Sequence, residues 1–345
     1  MDCFYAAVEM RDDPALRGIP VAVAWDGPRG VVLTANYEAR AFGVRSALAT
    51  RTARRLCPQL RLVPPRMDVY RAVSREIHEV FRRYTDLSEP LSLDEAYLDV
   101  TEPKTGPPSG TRVAQRIRRE ILEHTGLTAS AGVSYNKFLA KLASGMDKPD
   151  GLTVILPDRA EALLRTLNIE AFHGIGPATA RRLHTKGVYT GADLERQSLA
   201  WLRANFGKLG EHFYQIVRGI DERPVVADRP YKSVSAETTF VTDLRDPAQL
   251  RGALPDLAAQ VEVRLERAGL RAKTVVIKLK YEDFRLITRR RTLPFALMPG
   301  GALCREADTL LMGLTLEAGV RLLGVGAEGL APAEDAEPQT WLFPT

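Results

Sequence analysis

Residues 89–100 read EPLSLDEAYLDV. Apolar and polar residues alternate on either side of an acidic pair, Asp94 and Glu95, as they do in strands that hand over to one another at a turn. One reading is a hairpin turn whose acids face water. The other is a pair of carboxylates held at a strand end, offering oxygen ligands to Mg2+. Two-metal phosphoryl transfer needs such a cluster, and two carboxylates are rarely enough for both ions. A third acid is then expected from a neighbouring strand.

Outward from this stretch the pattern is mixed. Residues 66–85 have apolar positions three and four apart, which predicts one long amphipathic helix. On the other side a Gly/Pro-rich stretch, KTGPPSG (104–110), precedes a helix over Thr111 to His124. LTASAGVS (127–134) reads as a strand and NKFLAKLASGM (136–146) as a helix. Upstream, PVAVAW (20–25) and GVVLTA (30–35) read as strands, with a helical stretch from Ala47 to Leu56. Strands alternating with helices predict an α/β or α+β core. From Glu161 to Arg223 the strand patterns vanish and short helices take over. RPYKSVSAETTF (229–240) then opens a second mixed region of long strands and two helices, ending near Leu330. A Pro/Ala/acidic linker with an apolar tip follows, and no repeat recurs at fixed spacing.

The chain has 345 residues, enough for two or three domains, with 45% hydrophobic and 26% charged residues, as in ordinary soluble proteins. It contains no apolar run long enough to span a membrane and no basic-then-apolar leader, so a cytoplasmic protein is expected. Cys3, Cys57 and Cys304 are too scattered to suggest a disulfide frame or a zinc site. The net charge of +5 is unevenly spread. Six arginines and no acid lie between Arg40 and Arg61, and eight basic residues against two acids between Arg271 and Arg291. A single basic run is usually a solvated face; two separated ones point to a phosphate-rich polymer.

Five stretches carry a closer resemblance: MDCFYAAVE (1–9), TANYEARAFGVRS (34–46), PLSLDEAYLDVT (90–101), SAGVSYNKFLAKLASGMDKPDG (130–151) and HGIGPATARRLHTKGV (173–188). In content and order the chain resembles the Y-family DNA polymerases, most of all the bacterial DNA polymerase IV group, from Met1 to about Leu330. The resemblance implies an α+β, multidomain right hand. It comprises a ferredoxin-like palm (1–10 and 66–160), small fingers (11–65), a helical helix-hairpin-helix thumb (161–227), an α/β little finger (231–330) and a linker with a clamp-binding tail (331–345). It also implies a monomeric translesion enzyme of the bacterial cytoplasm and nucleoid. Such an enzyme adds dNTPs to a primer 3′-OH along a template with two Mg2+ ions, at low fidelity and without proofreading.

Matched by motif, Asp94 and Glu95 would be catalytic, metal-holding palm carboxylates. Phe4 and Tyr5 match the aromatic pair beneath the incoming sugar. Tyr5 would be a steric gate whose ring fills the space of a ribose 2′-OH and so selects by exclusion. For Phe4, ordinary core packing is the alternative reading. Thr34, Tyr37 and Arg40 would contact the triphosphate, the arginine through its planar donor fork. Lys148 would reach the same group, although a lysine before Pro-Asp-Gly is otherwise a routine turn residue. Leu33 is expected near the nascent base pair.

In HGIGPATARRLHTKGV, Gly174 and Gly176 would let the backbone turn tightly around Ile175. The helix from Pro177 would then present free amides, a phosphate seat that reads no sequence. In TVVIKLKY (274–281), Val275, Ile277, Leu279 and Tyr281 sort to one face and Lys278 and Lys280 to the other. Lys278 and Lys280, with Arg289, Arg290 and Arg291 on the strand after them, form a second expected DNA contact; an edge strand guarded by lysine is the alternative. Gln339, Leu342 and Phe343 of QTWLF match the peptide by which bacterial polymerases bind the sliding clamp, a tether at high effective concentration.

In the family, the opening motif follows a short apolar strand that ends in an acid, the third metal ligand. The expectation is therefore that Met1 is an internal methionine, with the true start roughly ten codons upstream. Asp2 is not expected to substitute for that acid. The alternative is a catalytically impaired, clamp-tethered DNA-binding relative. A Mg2+-dependent cyclase on a related palm fits less well, because it needs no duplex seat.

Overall fold

The first ordered element is a helix that starts within the opening motif. α1 (Phe4–Asp12) follows Cys3, which takes a left-handed conformation at φ 38°. The Ala7 amide donates to the Cys3 carbonyl at 2.9 Å, so Phe4 and Tyr5 are helical neighbours rather than residues on opposite faces of a strand. Ala6, Ala7, Glu9, Met10 and Arg11 are all good helix formers, which accounts for the choice. The computed structural model describes residues 1–334. It divides into a unit from Met1 to Arg229 and a second that starts at Pro230.

After α1, β1 (Val21–Ala24), β2 (Val32–Ala35), α2 (Tyr37–Arg40), α3 (Thr50–Leu56) and β3 (Arg61–Val63) form a small subdomain. Its sheet has the order β2-β1-β3, with Val23 opposite Thr34 in the antiparallel pair and Val21 opposite Arg61 in the parallel one. Asn36 caps α2 by accepting from the Ala39 amide, and its side chain also accepts from the Val21 amide, tying helix to sheet. The helix predicted from Ala47 begins only at Thr50, because Ala47 sits at φ 67° and Leu48 bonds back to Arg45.

α4 (Met67–Tyr84) is the long amphipathic helix, burying Tyr70, Val73, Ser74, Ile77, Val80, Phe81 and Tyr84 along one stripe. β4 (Ser88–Pro90) and β5 (Ala96–Leu98) form a hairpin. α5 (Gly110–Thr125) packs Val113, Ile117 and Ile121 against the same core and ends on Gly126 at φ 67°. β6 (Ala131–Val133), α6 (Lys137–Met146) and β7 (Leu152–Val154) make a parallel crossover, with Asn136 capping α6. α7 (Pro157–Thr166), α8 (Pro177–His184), α9 (Gly191–Glu195), α10 (Leu199–Phe206) and α11 (Lys208–Ile216) complete the unit with a helical core around Leu164, Phe172, Leu183 and Phe213.

The second unit runs β8 (Ser233–Leu244), α12 (Pro247–Arg267), β9 (Leu270–Tyr281), β10 (Leu286–Thr292), α13 (Ala302–Met312), β11 (Val320–Pro332). The sheet order is β10-β9-β11-β8 and every pair is antiparallel. Both helices cover one face, on which Val275, Ile277 and Leu279 pair with Ala327, Val325 and Leu323 in a common core with Leu254 and Leu303. The last strand continues to Pro332, two residues past the expected end of this region. Gln339, Leu342 and Phe343 lie outside the described residues.

One buried acid ties the start of the chain to the rest of its unit. Asp2, 2% exposed, accepts from the Thr128 hydroxyl (3.0 Å), the Ser130 hydroxyl (2.7 Å) and the Asp150 amide (2.9 Å). Burial by itself would raise its carboxyl, but these bonds and the charge of Lys148 hold it below the ordinary 3.8. Its stabilisation is therefore fully present above that value and is lost as pH falls through the lower folded one. Asp2→Asn should cost roughly 1–3 kcal/mol at pH 7. Denaturant titrations at several pH values should show the gap from wild type closing only below about pH 4.

Candidate active site

The acidic pair occupies the β4–β5 turn, so the hairpin reading and the ligand reading describe one place. The turn closes through the Leu91 amide on the Glu95 carbonyl (2.8 Å), and the Ser74 hydroxyl of α4 donates to the Leu93 carbonyl (2.5 Å). Asp94 accepts from the Ser92 hydroxyl (2.8 Å) and lies 3.6 Å from the Met1 ammonium, which also donates to the Asp94 carbonyl. Glu95 accepts from Lys141 of α6 at 2.7 Å. Burial would raise the Glu95 carboxyl, but the Lys141 hydrogen bond and charge, with the Met1 ammonium and Lys148, hold it below its ordinary range. Glu95 is thus held in its ionised form by specific cations, Lys141 foremost among them.

A cleft of about 330 Å3 opens beside the turn. Asp94, Glu95, Phe4, Tyr5, Thr34, Arg40 and Lys148, seven residues singled out in the sequence, all line it, and so does Leu33. Tyr5 projects from α1 with its ring stacked on Tyr70 of α4 at 4.4 Å and 16°. Tyr70 is fully buried and its hydroxyl donates to Glu9 (2.5 Å), which Arg66 also holds. The Tyr5 ring therefore has a rigid backing, and burial, then Asp94, raises its phenol. Phe4 is 4% exposed and packs against Tyr5 and Tyr70, so core packing accounts for most of its surface.

Arg40 spends its Nε on the Ala35 carbonyl (2.9 Å) and lies over the Tyr37 ring at 4.8 Å, leaving its terminal nitrogens at the cleft. Tyr37 is not among the lining residues; its hydroxyl is buried, and burial raises its phenol. Lys148, beyond the end of α6, donates to the Met1 carbonyl (3.0 Å) and sits 3.7 Å from Asp2. The sequence reading passed over Ser46, which lines the cleft, Tyr70, which backs Tyr5, and Lys141, which holds Glu95. Ser46 and Lys141 stand inside quoted motifs, but nothing in the one-dimensional pattern marks them from their neighbours.

Among the described residues no group of three or more His, Cys, Asp or Glu side chains could hold a metal. Asp2 makes no third ligand, because its oxygens are spent on Thr128, Ser130 and Asp150. Two hard carboxylates are nonetheless the usual protein share of a Mg2+ shell, which waters and substrate phosphates complete. Asp94 and Glu95 fit that role: they share one turn, and each already faces a positive charge.

The expected nucleic-acid contacts sort less simply. At 172–176 only Gly174, at φ 95°, needs glycine. Gly176 has φ −77° and precedes Pro177 of α8, with open space where a Cβ would stand. Ile175 is buried in the helical core. In the second unit, register separates the basic residues. Arg290 pairs with Val276 and Thr288 with Lys278, so Arg290 shares the open face with Lys278 and Lys280. Arg289 and Arg291 oppose Ile277 and Val275 and point to the helix side, where Arg291 meets Glu306 of α13 at 3.0 Å. Lys278 is paired with Glu237 at 2.7 Å and Arg290 with Glu328 at 3.5 Å.

Residues 1–145 match the impB/mucB/samB family and residues 231–340 its C-terminal domain. Residues 171–221 match a thumb domain described for DNA polymerase iota. The chain is 52% identical to DNA polymerase IV 3 of Mesorhizobium japonicum over 96% of its own length and 91% of the relative's. It is 51% identical to DNA polymerase IV of Gluconobacter oxydans, over 97% and 94%. Among solved structures it is similar to the Y-family DNA polymerase chimera Dbh-Dpo4(243-245)-Dbh, with TM-score 0.86, 28% identity, and 95% and 96% of the two chains covered. An insertion ternary complex of Dbh DNA polymerase matches over the same shares with TM-score 0.68 and 27% identity.

Proposed function

The chain belongs to the impB/mucB/samB family of Y-family DNA polymerases, and from that membership we propose how its cleft carries the reaction. It is a translesion DNA polymerase, a metal-dependent nucleotidyltransferase acting on DNA. The relatives favour the enzyme over a catalytically impaired accessory. Residues 1–10 and 66–160 act as palm, 11–65 as fingers, 161–227 as thumb and 231–330 as little finger.

One observation supports the site assignment above the rest: Asp94 and Glu95 share a single cleft with Tyr5, Thr34, Arg40 and Lys148. Arg40 and Lys148 neutralise a triphosphate, Thr34 donates to it, and the held geometry orients its α-phosphate toward a primer hydroxyl. Tyr5, backed by Tyr70, closes the space beside C2′ of the incoming sugar. Asp94 and Glu95 supply two of the carboxylates that hold the divalent ions, two ions in this reading. When bound, Mg2+ lowers the pKa of the attacking hydroxyl and neutralises the leaving phosphates. The amides at the start of α8 seat backbone phosphate, and the open sheet face with Lys278, Lys280 and Arg290 contacts DNA. Gln339, Leu342 and Phe343 tether the enzyme to the sliding clamp.

Asp94→Asn or Glu95→Gln should lower primer extension at least 100-fold while primer–template binding persists. Near-normal extension rates would remove the metal role from these residues. Tyr5→Ala should let ribonucleotides be incorporated, raising their kcat/KM against the deoxy forms by 10-fold or more, about the cost of one lost steric exclusion. Unchanged sugar discrimination would count against the gate. Removal of residues 339–345 should abolish stimulation by the clamp and leave basal extension intact, as measured with and without clamp loaded on DNA.

A further inference from the structure

We propose that Lys141 is shared between the carboxylate turn and the groove beside the α8 turn: it holds Glu95 until a divalent ion takes that carboxylate, and then engages a DNA backbone phosphate. This rests on the reading of Asp94 and Glu95 as ion ligands and of residues 173–188 as a phosphate seat. Lys141 stands near the middle of α6, its side chain 20% exposed, with Nζ 2.7 Å from Glu95 Oε2. The same side chain lines an open groove of about 490 Å3, whose far wall is the turn His173, Gly174, Ile175 and Gly176. It therefore belongs at once to the catalytic turn and to the surface where α8 begins.

The physical case is competition for one oxygen pair. An ammonium and a divalent ion at the same carboxylate repel each other at a distance where like charges are poorly screened. Lys141 has a four-carbon stem and a rotatable ammonium, so it can leave Glu95 without moving α6. In the groove the nearest acid, Glu170, is already drawn to His184 Nε2 at 3.1 Å. A phosphate at the α8 turn then provides the counter-charge that the displaced lysine requires. Ion binding and DNA binding become coupled, and the coupling acts equally in both directions.

The test measures that coupling in the full chain without nucleotide, so that no extension occurs. Mn2+ affinity of the DNA-free protein is read by electron paramagnetic resonance. Primer–template affinity is read by fluorescence anisotropy with and without Mn2+, at constant ionic strength. Lys141→Gln should bind Mn2+ about 5-fold more tightly or better, having lost the competing cation. The gain in DNA affinity on adding Mn2+ should be at least about 5-fold larger in wild type than in Lys141→Gln. Lys141→Met, also uncharged and about as good a helix former, should behave alike and covers the case in which the glutamine variant folds poorly. Equal gains in wild type and variants, or Mn2+ affinity that is unchanged or weaker in the variants, would overturn the proposal. Glu95→Gln separates the two readings. If it binds Mn2+ as wild type does, the ligand assignment fails and the shared lysine falls with it. If it loses Mn2+ while the Lys141 variants keep the wild-type coupling, the shared lysine alone is wrong.

Discussion

The burial of the Asp2 carboxylate is the constraint on which the site depends. Three donors from residues 128, 130 and 150 converge on it, and each comes from the segment around β6 and β7. With residue 2 fixed there, Cys3 turns the backbone and α1 starts immediately. Tyr5 then falls one helical residue from the core aromatic Phe4 and against Tyr70. Lys148, two residues before Asp150, is carried to the same spot and meets the Met1 carbonyl. An unpaired carboxylate in that position would be costly to bury, so the bonds are obligatory rather than decorative.

Around this anchor the site is an arrangement of uncompensated tendencies held in balance. Asp94 and Glu95 are close together, and without nearby cations their charges would oppose each other. Lys141 and Lys148 offset them, while Arg40 faces the cleft from the β2–α2 side. The tether from Ser74 to the Leu93 carbonyl keeps the turn from following its charges outward. The site contains both signs of charge, positioned on elements whose packing lies elsewhere. Tyr5 differs: it carries no charge, and the stack on Tyr70 with the Glu9–Arg66 pair behind it holds its ring stiffly.

The second unit shows how register decides which side chains share a face. Alternation along β9 correctly separates Val275, Ile277, Leu279 and Tyr281, all buried, from Lys278 and Lys280. It says nothing about how β10 is aligned to β9. That alignment puts Arg290, not Arg289 and Arg291, on the lysines' face, and a slip of one residue would reverse the assignment.

Periodicity and motif were enough to read from the sequence the long α4, the helix after Asn136, the strand faces of β9, the family, and most of the cleft residues. These depend on local pattern, since helix stripes and strand alternation follow from backbone geometry. The exact helical start at Phe4 is set by Cys3 and by Asp2's distant partners. Distant partners likewise set the roles of Tyr70, Ser46 and Lys141 and the sorting of three consecutive arginines. Each of these depends on residues tens of positions away, and a chain read in one dimension carries no distance between them. Which residue types can bind ions, exclude a hydroxyl or seat a phosphate was therefore determined by the sequence itself. Which of them meet, and which acid is spent on holding the fold rather than on chemistry, was decided only when tertiary packing brought residues 2, 94, 141 and 148 together.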